Sequence, residues 1–308
     1  LATIDIIPDI HGQAEKLKRA LTNLGWRSNG GGWAHSDPAR QVIFLCDFID
    51  RGPDNAGVIR IVRDLMEAGR ARAVMGNHEL NALHFHMRDA QTGQPLRSHD
   101  AKNTAQHESF LREFPLDSRQ ACEVLDWMRG LPLFIEDASF RAVHAAWIPK
   151  AIDDLRAVTA NGVLNEDHLH RAGHQGDVLH GIVATLTKGP EAALPNGYSF
   201  TDKGGHIRHD VRLKWWGGEV KTWREAAMSA PKPEQLPSTP LPAVLQRYSY
   251  PVDDRPVFFG HYWMTGAPML QAPNALCLDY SAGTDGPLIS YVYTEGEEHL
   301  DLAHVKVH

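Results

Sequence analysis

Cysteine is scarce in this chain: three in 308 residues, at Cys46, Cys122 and Cys277, with no Cys-x-x-Cys among them. That spacing excludes zinc held by paired cysteines, and an odd count in a long chain provides no disulfide framework. Long hydrophobic runs are missing too, since stretches such as Val42 to Cys46 are far too short to span a bilayer. Positive charge is not in excess: 31 Lys and Arg face 38 Asp and Glu, a net of −7, which argues against broad nucleic-acid binding. The opening Leu1-Ala2-Thr3-Ile4-Asp5-Ile6-Ile7 has no basic n-region, and no lipidation signal stands out, so the expected location is cytoplasmic. No internal repeat appears. What is present is an ordinary hydrophobic share, 43%, a length that buries a sizeable core, and 18 histidines.

Thr3 to Ile7 reads as a buried strand, ended by Pro8, which has no amide hydrogen for a ladder. A helix is expected from Gln13 to Leu24, with Leu17, Leu21 and Leu24 on one face and Gly25 to stop it. Gly30, Gly31 and Gly32 make a turn before the next apolar strand, Gln41 to Cys46. A helix from Asn55 to Ala68 and a strand from Ala71 to Met75 follow. This alternation predicts an α/β sheet. The stretch 81–130 is mostly helical, notably Thr104 to Phe114 and Ser118 to Met128, and short strands return at Leu133 to Glu136 and Phe140 to His144. Residues 153–250 are rich in Gly, Pro, His and Trp, with prolines at 231, 233, 237, 240 and 242. They are expected to form a cap or insertion with long loops inside a single domain spanning 1–308. Strands resume at Val257 to Phe259, Leu276 to Asp279 and Leu288 to Tyr293.

Polar motifs sit at the ends of the apolar strands: Asp9-Ile10-His11-Gly12, Asp47 through Pro53, Gly76-Asn77-His78-Glu79, His144, and Gly260-His261. Loops beyond the carboxyl ends of strands are where ligands converge in α/β folds. Asp, His and Asn gathered there suit an oxygen- and nitrogen-rich metal centre. In extended backbone, side chains two apart share a face, so Asp9 and His11 can reach one ion. Asp47 ends its strand while Asp50 and Arg51 lie in the turn beyond, which allows them a different role.

With Asp47-Phe48-Ile49-Asp50-Arg51-Gly52-Pro53 and Gly76-Asn77-His78-Glu79 in this order, the chain resembles the calcineurin-like metallophosphoesterases. Within them it is similar to the serine/threonine phosphoprotein phosphatase and diadenosine tetraphosphatase branch. The resemblance implies an α/β (α+β) fold, a β-sandwich flanked by helices with a dimetal site at strand ends. It implies that Asp9 and His11 hold one divalent ion, that Asn77, His144 and His261 complete the other, and that Asp47 bridges both. His78, paired with Asp50, would protonate the leaving oxygen. Arg51 would clamp the phosphoryl oxygens, with Asn77 also on the substrate side. Each role passes a chemical check. A carboxylate has two oxygens for two ions, an imidazole donates protons near neutral pH, and a guanidinium fork matches two phosphate oxygens. In-line attack by metal-bound hydroxide is expected, because no Ser, Cys or His nucleophile is suggested.

Pro8 and Cys46 stand where the family has glycine before an aspartate, and Trp263 stands where many wider metallophosphoesterases have a second histidine. The expected ions are manganese first, with iron or zinc as alternatives. The expected partner is a phosphorylated substrate, with no membrane and no nucleic-acid duplex. Hydrolysis of phosphomonoesters, as in a serine/threonine protein phosphatase, is ranked first. Hydrolysis of a dinucleoside polyphosphate or another nucleotide is the alternative, and a non-catalytic phosphate-binding scaffold is the third reading. His168, His170, His174 and His180 are read as solvated or hydrogen-bonded, with a further zinc site as the alternative. One of His84, His86, His99 and His107 could line the pocket, without a signal to choose which. Trp215, Trp216 and Trp223 are read as cap packing, with stacking on a base as the alternative; Lys214, Lys221, Arg208 and Arg212 add a modest basic character.

Overall fold

Thr3–Ile7 (β1) anchors the largest of the five sheets among the described residues of the computed structural model, which describes residues 2–308 apart from 29, 31, 203, 204, 219–221, 229 and 298. Leu1, Gly31 of the expected turn and Lys221 of the expected basic group lie outside the described residues. Four of the five β1 residues are buried, as a strand covered on both faces requires. It pairs in parallel with Gln41–Phe44 (β2), which pairs in parallel with Ala71–Ala73 (β3).

Four more strands make a second sheet: Phe134–Glu136 (β4), Arg141–Val143 (β5), Val257–Phe259 (β6) and Ala275–Cys277 (β7), in the order β7-β6-β5-β4. Ile289–Thr294 (β8) returns to the first sheet, antiparallel to β1, and Val305–Val307 (β9) closes its edge, giving the order β9-β8-β1-β2-β3. The sheets pack face to face. Tyr291 and Tyr293 project from one side of β8, and their rings lie 5.1 and 5.7 Å from that of Phe258 on β6. The expected β-sandwich with helices around it is what the chain forms.

The early helices fall where the periodicity places them: Ala14–Asn23 (α1) and Asn55–Glu67 (α2), the latter capped by Asp54. Asn77–His86 (α3) starts directly after the third motif. Ala101–Glu113 (α4) begins three residues before the expected Thr104, because the Asp100 carboxylate accepts from the Asn103 amide (2.8 Å) and caps it. Arg119–Arg129 (α5) is capped by Ser118. Between 149 and 188, part of which was expected as loops, lie three helices: Pro149–Val158 (α6), Glu166–Gly173 (α7) and Val178–Lys188 (α8). Ile152, Leu169 and Val183 from them join the main core. A separate small core, with Phe200, Val211, Trp223 and Leu236, forms beyond residue 190. None of the helices among the described residues is long and apolar enough to cross a membrane.

Candidate metal centre

The segments after β1, β2, β3, β5 and β6 leave the sandwich together. Asp9 and His11 follow β1, Asp47 follows β2, Asn77 opens α3, and His144 and His261 follow β5 and β6. The Asp47 carbonyl accepts from both the Ile10 and His11 amides (3.0 and 2.7 Å), which stitches the first two loops together. Positive φ is concentrated here: 49° at His11, 50° at Asp47, 71° at Asp50, 67° at Arg51 and 75° at His261. Non-glycine residues resist that region, so the fold holds these side chains in a strained backbone. Two glycines explain the motifs around them. A Cβ at Gly76 would lie 2.3 Å from Asp47 Oδ1, and one at Gly260 would lie 1.9 Å from Asp9 Oδ1.

Asp47 is the hub. Its Oδ2 lies 3.4 Å from His144 Nε2 and 3.7 Å from His11 Nε2. Two groups of potential ligands share it: His11, Asp47 and His78, and Asp47, His144 and His261, each with ligand atoms within 4.8 Å of one another. Asn77 Oδ1 is 2.9 Å from both His144 Nε2 and His261 Nδ1. A carbonyl can only accept, so His144 Nδ1–H donates to Leu45 O (2.8 Å) and His11 Nδ1–H to Ile49 O (3.0 Å). A neutral ring held this way, as at His11, points its Nε2 lone pair at the Asp47 oxygen, while at His144 the charge of Asp47 draws a proton onto Nε2. Such an arrangement calls for a cation between them. His11 Nε2 is buried and has no hydrogen-bond partner.

The charges agree with the geometry. Asp9, Asp47 and Asp279 are buried together, and among the described residues none is ion-paired to lysine or arginine. Burial and the nearby Asp279 push Asp9 well above the usual carboxylate range, and burial also raises Asp279. Burial works against the Asp47 charge as well, but His144 and His78 hold it well below that range. Burial, helped by His78, holds His11 at about 3, and burial lowers His261 too, so both rings are neutral donors. His144 is drawn up to about 10: burial opposes its charge, and Asp47 and Asp9 outweigh it. Imidazole, carboxylate and amide oxygen, with an orphaned Nε2 and three clustered acids, fit a pair of divalent cations sharing Asp47.

Beside the centre, Asp50 is gripped from both sides. His78 Nδ1–H donates to Oδ2 (2.6 Å) and His107 Nδ1–H donates to Oδ1 (2.8 Å). Burial opposes the Asp50 charge, yet the His107 and His78 bonds hold it down at about 2. Burial likewise opposes a charged His78, while Asp47 and Asp50 raise it above the ordinary histidine value. The exposed Arg51 guanidinium sits 4.2 Å from the centre of the Trp263 ring. Asp279 Oδ2 accepts from the Trp263 amide (2.7 Å) and fixes that ring in place, 5.7 Å from His11.

The sequence-derived residues therefore meet, with one difference. His78 stands in the first ligand group and Asp9 does not; the Asp9 carboxylate accepts the His261 amide (3.0 Å) instead. Three supporting residues escaped the sequence reading, Glu79, Asn55 and Asp279, and His107 was one of four histidines between which the sequence could not choose. Glu79 accepts from the Phe48 amide (2.8 Å) and the Cys46 thiol (2.9 Å), Asn55 Oδ1 accepts from the Asp50 amide (2.7 Å), and His107 and Asp279 act as described. Glu79 had a signal, being the last letter of a motif already noticed. Trp215 and Trp216 are buried against Phe259, in packing roles. His174 pairs with Asp89 (2.9 Å) and His180 with the Ala172 carbonyl (2.6 Å); among the described residues, the 168–180 histidines form no metal-binding group.

The family model for calcineurin-like phosphoesterases matches residues 2–177. The chain is 37% identical over 111 residues to the asymmetrical bis(5'-nucleosyl)-tetraphosphatase PrpE of Oceanobacillus iheyensis, covering 36% of this chain and 42% of that protein. It is 32% identical over 187 residues to the symmetrical bis(5'-nucleosyl)-tetraphosphatase of Aeromonas salmonicida, covering 59% and 58%. These matches thus span only about half the length of the curated relatives. Among solved structures, the cold-active protein-tyrosine phosphatase of a psychrophilic Shewanella species aligns over 98% of this chain and 81% of that one, with a TM-score of 0.52 and 16% identity. A serine/threonine phosphatase from Saccharomyces cerevisiae aligns over 100% and 79%, with a TM-score of 0.50 and 12% identity. At such identities the likeness concerns the fold.

Proposed function

The chain belongs to the calcineurin-like phosphoesterase family, and from that premise we propose that it is a two-metal hydrolase of phosphate anhydrides in nucleotides, of the bis(5'-nucleosyl) polyphosphate kind. The observation that carries the catalytic part is Asp47 flanked by two imidazoles, each with Nδ1 tied to a carbonyl and Nε2 turned inward. His11 and Asp9 on one side and Asn77, His144 and His261 on the other would hold the ions, with Asp47 serving both. Once bound, two divalent cations would supply Lewis-acid polarisation of the phosphoryl group and a water acidic enough to attack near neutral pH. Manganese is the first choice for this mixed oxygen and imidazole set, ahead of iron or zinc.

The protein's own groups do the rest. Asp50 pins His78 Nδ1–H and favours the charged ring, so His78 keeps an Nε2–H to give to the leaving oxygen. Arg51 offers its planar fork to two phosphoryl oxygens. The names of the sequence relatives support a dinucleoside polyphosphate over the phosphomonoester ranked first from sequence. So does the broad cleft beside Arg51, which is lined by Arg208, Arg212 and Lys214. The test is a panel of phosphopeptide, aryl phosphate and diadenosine tetraphosphate with manganese, magnesium and zinc. Diadenosine tetraphosphate should be the preferred substrate; selective cleavage of the phosphopeptide would restore the protein-phosphatase reading. His78→Ala should lower kcat by about 10²- to 10⁴-fold while keeping the bound metal. Metal loss from that variant would make His78 a ligand rather than the acid.

A further inference from the structure

Arg51 stands on a divide. On one side lies a cleft of about 480 Å³, bounded by His78 and, from α4, by Lys102, Gln106, Ser109 and Arg112. On the other lies a cleft of about 1310 Å³, bounded by Arg208, Arg212, Lys214, Trp263 and Met269. Arg51 lines both, and His78 lines only the first. A general acid must touch the oxygen it protonates, so the leaving part of the substrate belongs on the His78 side. A phosphomonoester carries nothing else and would leave the larger cleft unused.

Building on the phosphohydrolase reading above, we propose that Arg51 separates a leaving-group subsite under α4 from a retained-group subsite beside Trp263, so that the attacked phosphorus carries an arm on each side. Water oxygen bonds to that phosphorus and gives up one proton to solvent, the P–O bond to the α4-side arm breaks, and the departing oxygen takes the His78 proton, which solvent then restores. The product that keeps the phosphorus stays in the larger cleft. Charge on both sides suits a polyphosphate running through the divide. In the larger cleft Arg208 is engaged by Asp202 (2.7 Å) and Arg212 lies 3.4 Å from Glu191, while Lys214 has no ion pair among the described residues. In the α4 cleft Arg112 lies 3.4 Å from Glu108, and Lys102 likewise has no ion pair among the described residues. Each side therefore offers one ammonium for phosphate oxygens flanking the scissile phosphorus. Met269, 58% exposed, and Trp263 give the larger cleft an apolar wall for a flat base. The smaller volume is of the size that takes an organic ligand, and the larger leaves room beyond it.

The test compares kcat/KM of the manganese-loaded full chain for three compounds: 4-nitrophenyl phosphate, thymidine 5'-(4-nitrophenyl phosphate) and diadenosine tetraphosphate. The first two share a leaving group and differ in the retained arm. Wild type should prefer the thymidine ester, and Met269→Ala, which removes part of the wall against its base, should cut that preference by about fivefold. Lys102→Ala should instead cut the preference for diadenosine tetraphosphate over the thymidine ester by about tenfold. Equal rates on the first two compounds in wild type, or exchanged effects of the two variants, would overturn the subsite assignment while leaving the hydrolase intact. Failure to cleave any of the three would sink the hydrolase reading itself, and the assignment with it.

Discussion

Asp50 accepts two imidazole N–H groups, one on each oxygen, and this fixes more than the acid-base pair. Its folded pKa of about 2 lies below the ordinary carboxylate value of 3.8, so the charged form stabilises the fold. That contribution is present above the ordinary range and is lost as pH falls through about 2. A depression of this size corresponds to about 2 kcal/mol. Asp50→Asn in chelator-treated protein should therefore melt below wild type at pH 5, with the gap narrowing as pH falls towards 2 to 3 in thermal scans. A gap that stays constant would mean the carboxylate charge contributes nothing. The His78 partner of Asp50 was legible in the sequence through the family resemblance that their two motifs carry. His107 was legible only as one of four histidines offered for the pocket: it lies 57 residues from Asp50, on a helix face shared with Phe110, and nothing in the sequence singles it out. Trp263 was noticed as a replacement, but nothing in the sequence places its ring against the Arg51 guanidinium.

At the scale of elements, α4 is the piece that ties the dyad to the scaffold. Glu113 near its end accepts from the Asn55 amide (2.8 Å), the Asn55 side chain (2.6 Å) and the Ala56 amide (2.8 Å). It thus satisfies the opening N–H groups of α2 and places a negative charge at the positive end of that helix. Asn55 in turn holds the Asp50 amide, so one carboxylate links α4, α2 and the catalytic turn. Glu113→Ala should cost about 1–3 kcal/mol in urea unfolding, because the Asn55 and Ala56 amides lose their acceptor and the Asn55 side chain keeps only Ser109 (3.3 Å). Glu113→Gln should restore part of that. An unchanged midpoint for Glu113→Ala would make the link decorative. The strands and the first two helices were readable from apolar runs and 3.6-residue stripes. The helices α6 to α8 were harder: they are 8 to 11 residues long, and Gly, His and Pro around them interrupt the pattern.

On the scale of the whole molecule, the centre draws on residues from 9 to 261 and buries three acids in one place. Cations bound there would bridge loops that follow strands of both sandwich sheets. Addition of manganese at about 100 times its Kd should raise unfolding free energy by about 2.7 kcal/mol, and chelation should reverse it. A melting temperature indifferent to manganese would contradict a metal centre in this position. The pairing of β1 has another consequence, for a chain emerging from the ribosome. One edge of β1 finds β2 within about forty residues, but the other waits for β8, and Phe258 must arrive before its layer has a core. A nascent chain stopped at residue 177, where the family match ends, would present an open strand edge and an uncovered apolar face. Such a fragment should partition to the pellet or to chaperones, and productive folding should follow release of the last strands rather than proceed from the amino terminus forward.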